Sequence, residues 1–147
     1  MRDIDEITGD VLNVALRRHR DLGPGLLESV YEVVLAAKLR AIGYRVARQE
    51  PIGFEFGLRF DATFRVDLLV QSRLVVEIKS VERLHAAHAK QLLTYLRLAK
   101  QHVGLLINFG GATLKEGVKR VVNDYASSAS PRLRVNNPSS SSSSSGA

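Results

Sequence analysis

The stretch from Thr63 to Ser80 constrains this chain more than any other part. It reads Thr63-Phe64-Arg65-Val66-Asp67-Leu68-Leu69-Val70, then Gln71-Ser72-Arg73, then Leu74-Val75-Val76-Glu77-Ile78-Lys79-Ser80. Side chains of a strand alternate between its faces, so Phe64, Val66, Leu68 and Val70 form one apolar row and Leu74, Val76 and Ile78 form its match. A hairpin that buries both rows on one side has a single register, because a slip by one residue turns every side chain over. The odd-length link Gln71-Ser72-Arg73 permits that register. Asp67 then lies opposite Glu77, with Lys79 one step further along the same face and Arg65 opposite Lys79.

Directly opposed residues in an antiparallel pair have Cβ atoms about 5 Å apart. Two ionised carboxylates that close repel, and a raised pKa, a nearby base or a divalent cation must offset the repulsion. Mg²⁺ takes carboxylate oxygens and keeps several waters. A lysine beside it can orient water or neutralise a phosphate. The constellation reads as metal-assisted hydrolysis of a phosphodiester. The same alternation also suits the ordinary solvated stripe of a half-buried antiparallel sheet, with Glu and Lys on the wet face.

The 147 residues suit one domain with a core of its own, here assigned to 1–125. The hydrophobic share of 45% and charged share of 24% are ordinary for a globular protein. The net charge of +6 permits a polyanionic partner without demanding one. With no cysteine, disulfides and thiolate metal sites are excluded. The opening Met1-Arg2-Asp3-Ile4-Asp5-Glu6 lacks the apolar run of a secretory signal, and no stretch reaches the ~20 apolar residues of a membrane span. A cytoplasmic protein is the expectation.

An amphipathic helix is expected over 4–21, with Ile7, Val11, Val14, Ala15 and Leu22 on its apolar face, ended by Gly23-Pro24-Gly25. A second is expected over 27–42, with Val30, Val34, Ala37 and Leu39 inward and Gly43 as terminator. Strands follow over 44–52 and 53–60, the latter with Phe54 and Phe56 on one face, and then the hairpin. A third helix is expected over 84–100, a doubly covered strand over 103–107 and a last helix over 114–125. From 126 onward a serine-rich tail cannot bury enough apolar surface to order itself. The order α, α, several β, α, β, α predicts an α/β domain with a mixed sheet flanked by helices.

Further polar residues fall near the hairpin. Gln91 and Tyr95 share a helix face, and His88 lies close to the same stripe, so this helix can lean over the acidic site, although spacing alone favours a partly buried Tyr95 with its hydroxyl at the surface and a solvated Gln91. Glu28 in the first turn of the second helix either favours the helix dipole or supplies another carboxylate, and Tyr31 shares its face. His85 and His88 have helical spacing, but no H-E-x-x-H motif accompanies them. The arginines at 17, 18 and 20, and Lys115, Lys119 and Arg120, suit phosphate contact or simple wet faces.

Gly25-Leu26-Leu27-Glu28-Ser29-Val30-Tyr31 resembles the motif that names the GxxExxY proteins, assigned to the PD-(D/E)XK nuclease superfamily. Asp67 followed by Glu77-Ile78-Lys79 is similar to the metal-binding core of that superfamily, and Gln91 to Tyr95 resembles its Q-x-x-x-Y element. Leu105-Leu106-Ile107-Asn108-Phe109-Gly110 is similar to the family's ending. Val66 stands where the superfamily usually has proline. The resemblance spans about 4–123 and implies a restriction-endonuclease-like αβββαβ core. It implies that Asp67, Glu77 and the backbone carbonyl of Ile78 hold Mg²⁺ or Mn²⁺, with Glu28 as accessory acid. It further implies that Lys79 positions or activates the attacking water and that Gln91, Tyr95, Tyr31 and His88 face the substrate. The expected partner is nucleic acid, DNA ahead of RNA. A catalytically inactive nucleic-acid-binding or regulatory module on the same fold is the alternative, and a homodimer through an exposed strand edge is a third reading.

Overall fold

The structure, a computed structural model, describes residues 2–53 and 63–124. The expected strand over 53–60, apart from Gly53, and the tail over 126–147 lie outside the described residues.

Helix α1 spans Ile4–Leu22. Asp3 and Glu6 form a reciprocal capping box at its start, which satisfies amide donors that have no partner inside the helix. Gly23, with a φ of 76°, ends it in a conformation that a side chain would strain. Helix α2 spans Glu28–Ala41. Strands β1 (Val46–Gly53), β2 (Thr63–Val70) and β3 (Leu74–Lys79) follow, then α3 (Ala86–Ala99) and β4 (Val103–Asn108). A single 3-10 turn, Lys115–Gly117, leads into β5 (Val118–Val122).

The strands form one sheet in the order β1-β2-β3-β4-β5, antiparallel except for β3 and β4, which run parallel and are joined through α3. Helices α1 and α2 cover one face over Leu68, Val70, Val76, Ile78, Leu105 and Ile107. Helix α3 covers the other, where Leu92 and Leu96 pack on Ile52, Val66, Val75 and Leu106. Every residue of β4 is buried, as its unbroken apolar run requires of a strand covered on both sides. Among the described residues no helix is long and apolar enough to cross a membrane.

Several expectations need correction. The helix expected over 114–125 is instead the 3-10 turn and strand β5, paired antiparallel with β4 from Val103↔Val122 to Ile107↔Val118. Leu114, Val118, Val121 and Val122 imitate helical spacing, but the β-branched valines favour a strand once the edge of β4 is there to pair with. Helix α2 is turned from its expected orientation. Tyr31, Glu32, Leu35, Ala36 and Leu39 face inward, whereas Val30 and Ala37 are exposed and Val34 is only half-buried. A tyrosine and a glutamate occupy buried positions because polar partners, described below, satisfy them. In α1, Ile7, Val11 and Ala15 are buried as expected, while Leu22 is exposed.

The hairpin has the expected register, with Leu68↔Val76, Leu69↔Val75 and Val70↔Leu74. Its single apolar row does not persist. Leu68 and Val70 join the α1–α2 core, but Val66 joins the α3 core, and Phe64 lies with its ring 5.2 Å from that of Tyr95 on α3. Strand β1 exchanges faces at the same level, with Val46 on the α1–α2 side and Ile52 on the α3 side. Between them Gln49 adopts a left-handed φ of 51°, and the β1–β2 pairing passes from Arg48↔Leu68 to Glu50↔Val66 without a Gln49–Asp67 pair. The alternation of both strands breaks at the level of this left-handed residue, and Asp67 lies where the faces exchange.

Candidate functional site

The backbone pairing of β2 with β3 ends at Leu68↔Val76. The next residues are Asp67 and Glu77, and their side chains occupy the gap the ladder leaves. The Asp67 amide donates to Glu77 Oε2 over 2.9 Å, and the Ile78 amide donates to Asp67 Oδ2 over 2.7 Å. Each carboxyl group thus takes a backbone donor that a strand partner would otherwise use, a bond worth about 0.5–1.5 kcal/mol and more when the acid is ionised. Gln49 Nε2 donates to the other Asp67 oxygen, Oδ1, over 3.2 Å.

Burial pushes the Asp67 carboxyl up, and the charges of Glu32 and Glu28 add to the rise, while the Ile78 amide and Gln49 oppose it. Burial and the neighbouring Asp67 charge push Glu77 from 4.5 to about 8, against a weaker opposite pull from Lys79. Neighbouring acids with raised pKa values favour protonation, or a cation where one can enter. Among the described residues no three His, Cys, Asp or Glu side chains converge as a ligand group. The two carboxylates are hard oxygen donors, of the kind that suits Mg²⁺ or Mn²⁺ retaining waters better than zinc.

Lys79 is half-buried on β3, held in register by β4 through the Lys79↔Asn108 pair. Beyond it, the Asn108 side chain clamps the exit of the chain. Its Oδ1 accepts from the Val81 and Gly110 amides at 3.0 Å each, and its Nδ2 donates to the Val81 carbonyl at 2.9 Å. Gly110 has to be glycine here, since a Cβ would lie 2.2 Å from the Val81 carbonyl oxygen.

The other expected site residues are placed as follows. Glu28 is exposed and accepts from the Ser80 amide over 3.2 Å, so it tethers the residue after Lys79. Tyr31 is only 1% exposed and stacks on Phe109 with ring centroids 4.3 Å apart. Its hydroxyl donates to the Gly23 carbonyl and accepts from the Leu26 amide, shaping the loop that sets Glu28. Tyr95 is half-buried with its ring on Phe64, and its hydroxyl pKa is raised by burial first and then by the charges of Glu77 and Asp67. His88 has its pKa lowered by burial first and then by the charges of Lys79 and His85. Its Nδ1 accepts from the His85 amide over 3.0 Å. Gln91 is exposed, one turn before Tyr95 on α3. Arg65 donates to the Gln49 carbonyl over 3.2 Å, on the side of β2 away from β3.

Sequence reasoning misses Glu32 and Gln49. Glu32 is 4% exposed, pairs with Arg48 at 3.1 Å and accepts from Gln49 Nε2 at 2.7 Å. Glu32 follows directly on the Glu28–Tyr31 motif, and a buried glutamate in a helix is visible only when the helix face is known.

The geometry, with two acids in the strand gap and a lysine one step on, accords with the comparison to protein families. A model of the PD-(D/E)XK nuclease superfamily matches residues 5–121. The chain belongs to that superfamily. The match runs from the first turn of α1 to β5, so the superfamily core takes in every described element. Comparison with curated proteins and with solved structures gave no match.

Proposed function

We propose that this PD-(D/E)XK chain is a divalent-metal-dependent nuclease that hydrolyses phosphodiester bonds of nucleic acid. The observation that carries the reading is the insertion of Asp67 and Glu77 into the β2–β3 gap beside Lys79. Asp67, Glu77 and the Ile78 carbonyl would hold the ion, which supplies Lewis-acid stabilisation of charge on the phosphoryl group. Lys79 orients the attacking water and offsets the charge that develops on the phosphate oxygens. His88 complements it. With Nδ1 taken by the His85 amide, the neutral ring carries its proton on Nε2 and can donate it to a phosphate oxygen. Tyr95, whose ring meets Phe64, offers an apolar face and a hydroxyl at the edge of the acids.

The test is cleavage of DNA and of RNA by purified protein with and without Mg²⁺ or Mn²⁺. Asp67→Ala and Lys79→Ala are each expected to lower turnover by about 10²–10⁴-fold. Undiminished cleavage by both variants refutes the reading. Salt-sensitive binding without turnover under any divalent ion assigns the chain to a binding role on a nuclease fold.

A further inference from the structure

Gln49 and Glu32 stand outside the acidic pair, yet the geometry connects them to it. Gln49 is a non-glycine residue in left-handed backbone, at the point where β1 and β2 skip a pair. Such a conformation persists only where surrounding contacts over-determine it, and it clusters at functional sites. The contacts here are specific. Its amide nitrogen donates to Glu32 Oε1 at 2.7 Å and to Asp67 Oδ1 at 3.2 Å, and its carbonyl accepts from Arg65 at 3.2 Å. Glu32 is buried, and its second oxygen is held by Arg48 Nε at 3.1 Å. A continuous line, Arg48–Glu32–Gln49–Asp67, thus runs from the α2 face of the sheet to the gap between β2 and β3.

The chemistry of the donor matters. Asp67 Oδ2 is already fixed by the Ile78 amide, so a second donor on Oδ1 sets the rotation of the whole carboxylate. Arginine or lysine at position 49 would hold the acid equally well, but its charge would repel a cation. The primary amide holds the acid without charge and has two hydrogens, one for Asp67 and one for an anchor. Glu32 is that anchor, and Arg48 balances the charge of Glu32 on the side chain's far oxygen.

We infer that Gln49, anchored by Glu32, is a positioning residue that keeps the Asp67 carboxylate turned toward Glu77 for a divalent cation. The inference rests on the reading of Asp67 and Glu77 as cation ligands.

Gln49→Gly is the informative variant, because glycine adopts the left-handed backbone without strain and only the amide is lost. Glu32→Gln removes the anchor's charge while leaving an oxygen that can accept. Two measurements are made on the full chain: Mn²⁺ affinity by calorimetry, and hydrogen exchange of the Ile78 amide in ion-free protein. In Gln49→Gly the Mn²⁺ Kd is expected to rise about tenfold or more, the usual effect of losing an outer partner of a metal ligand. The Ile78 amide exchanges faster, while Leu105 and Ile107 in β4 keep their protection. Glu32→Gln shifts both readouts the same way by less. Unchanged Ile78 exchange in both variants, or faster exchange with unchanged Mn²⁺ affinity, overturns the inference and leaves Gln49 as a tie between β1 and α2. Failure of the wild-type chain to bind Mn²⁺ is a different result: it removes the metal reading itself.

Discussion

The two edges of β3 behave differently. Toward β4 the pairing is unbroken, from Leu74↔Val103 to Lys79↔Asn108. Toward β2 it stops at Leu68↔Val76, and carboxylates take the places of backbone partners. The regular edge fixes where Glu77 and Lys79 point, since a buried, fully paired strand has no freedom to turn. The interrupted edge leaves unpaired amides and a gap, and charge can be housed there. Rigidity and reactivity are drawn from opposite sides of one strand. A site built this way is as precise as the strand that carries it.

The largest effect is expected at the interrupted edge. Glu77→Gln keeps an oxygen for the Asp67 amide but removes the charge, and cleavage should fall by about 10³-fold or more. The same variant reports on the buried acid. In ion-free protein the folded-state value of about 8 lies above the ordinary 4.5, so the folded form holds the extra proton across that interval. The contribution of Glu77 to stability is therefore full below pH 4.5 and is lost as pH rises through 8, by at most about 5 kcal/mol for a displacement of this size. Thermal melts from pH 5 to 9 should show that decline in the wild-type chain and a shallower one in Glu77→Gln, where the raised Asp67 remains. Mg²⁺ affinity should run the other way, strengthening with pH as the ion displaces the proton.

Next in size is damage to the regular edge. Gly110→Ala sets a methyl against the Val81 backbone and pulls the chain away from Asn108, at a cost of about 3 kcal/mol or more. Calorimetry should show a drop in Tm on the order of 10 °C. A variant that melts like the wild type would mean that the loops beyond β3 and β4 are not tied together. The smallest effect sharpens the comparison. Tyr95→Phe leaves the contact with Phe64 and removes only the hydroxyl beside the acids. Steady-state kinetics should show a loss of a few-fold in kcat/KM with Tm unchanged. An equal loss of Tm would place the tyrosine in the core instead.

Much of this is legible in the residues themselves. The register of Leu68 with Val76 follows from alternation and an odd-length link, both of which are local. So is the burial of β4, whose run of apolar residues admits no wet face. What escapes local reading depends on neighbours far along the chain. The exchange of faces at Asp67 lies opposite the left-handed backbone of Gln49, eighteen positions earlier, and alternation alone assigns Val66 to the wrong core. β5 reads as a helix because valines at 118, 121 and 122 fit either period, and only the free edge of β4 decides. In α2 the valines draw attention, whereas the inward face carries Tyr31 and Glu32, whose burial is made tolerable by the Gly23–Leu26 loop and by Arg48. Of the site, Asp67, Glu77 and Lys79 are visible in sequence, and the Glu32–Gln49 support is not.

The Asn108 clamp has a consequence for how this architecture can diversify. The main chain past Val81 starts from a fixed post, so the exposed bend of Glu82 and Arg83 behaves as an interchangeable fitting. Residues can be added to or removed from that bend without disturbing the amine on Lys79, because the strain stops at the clamp. New contacts at the rim can therefore be acquired while Asp67, Glu77 and Lys79 stay where they are.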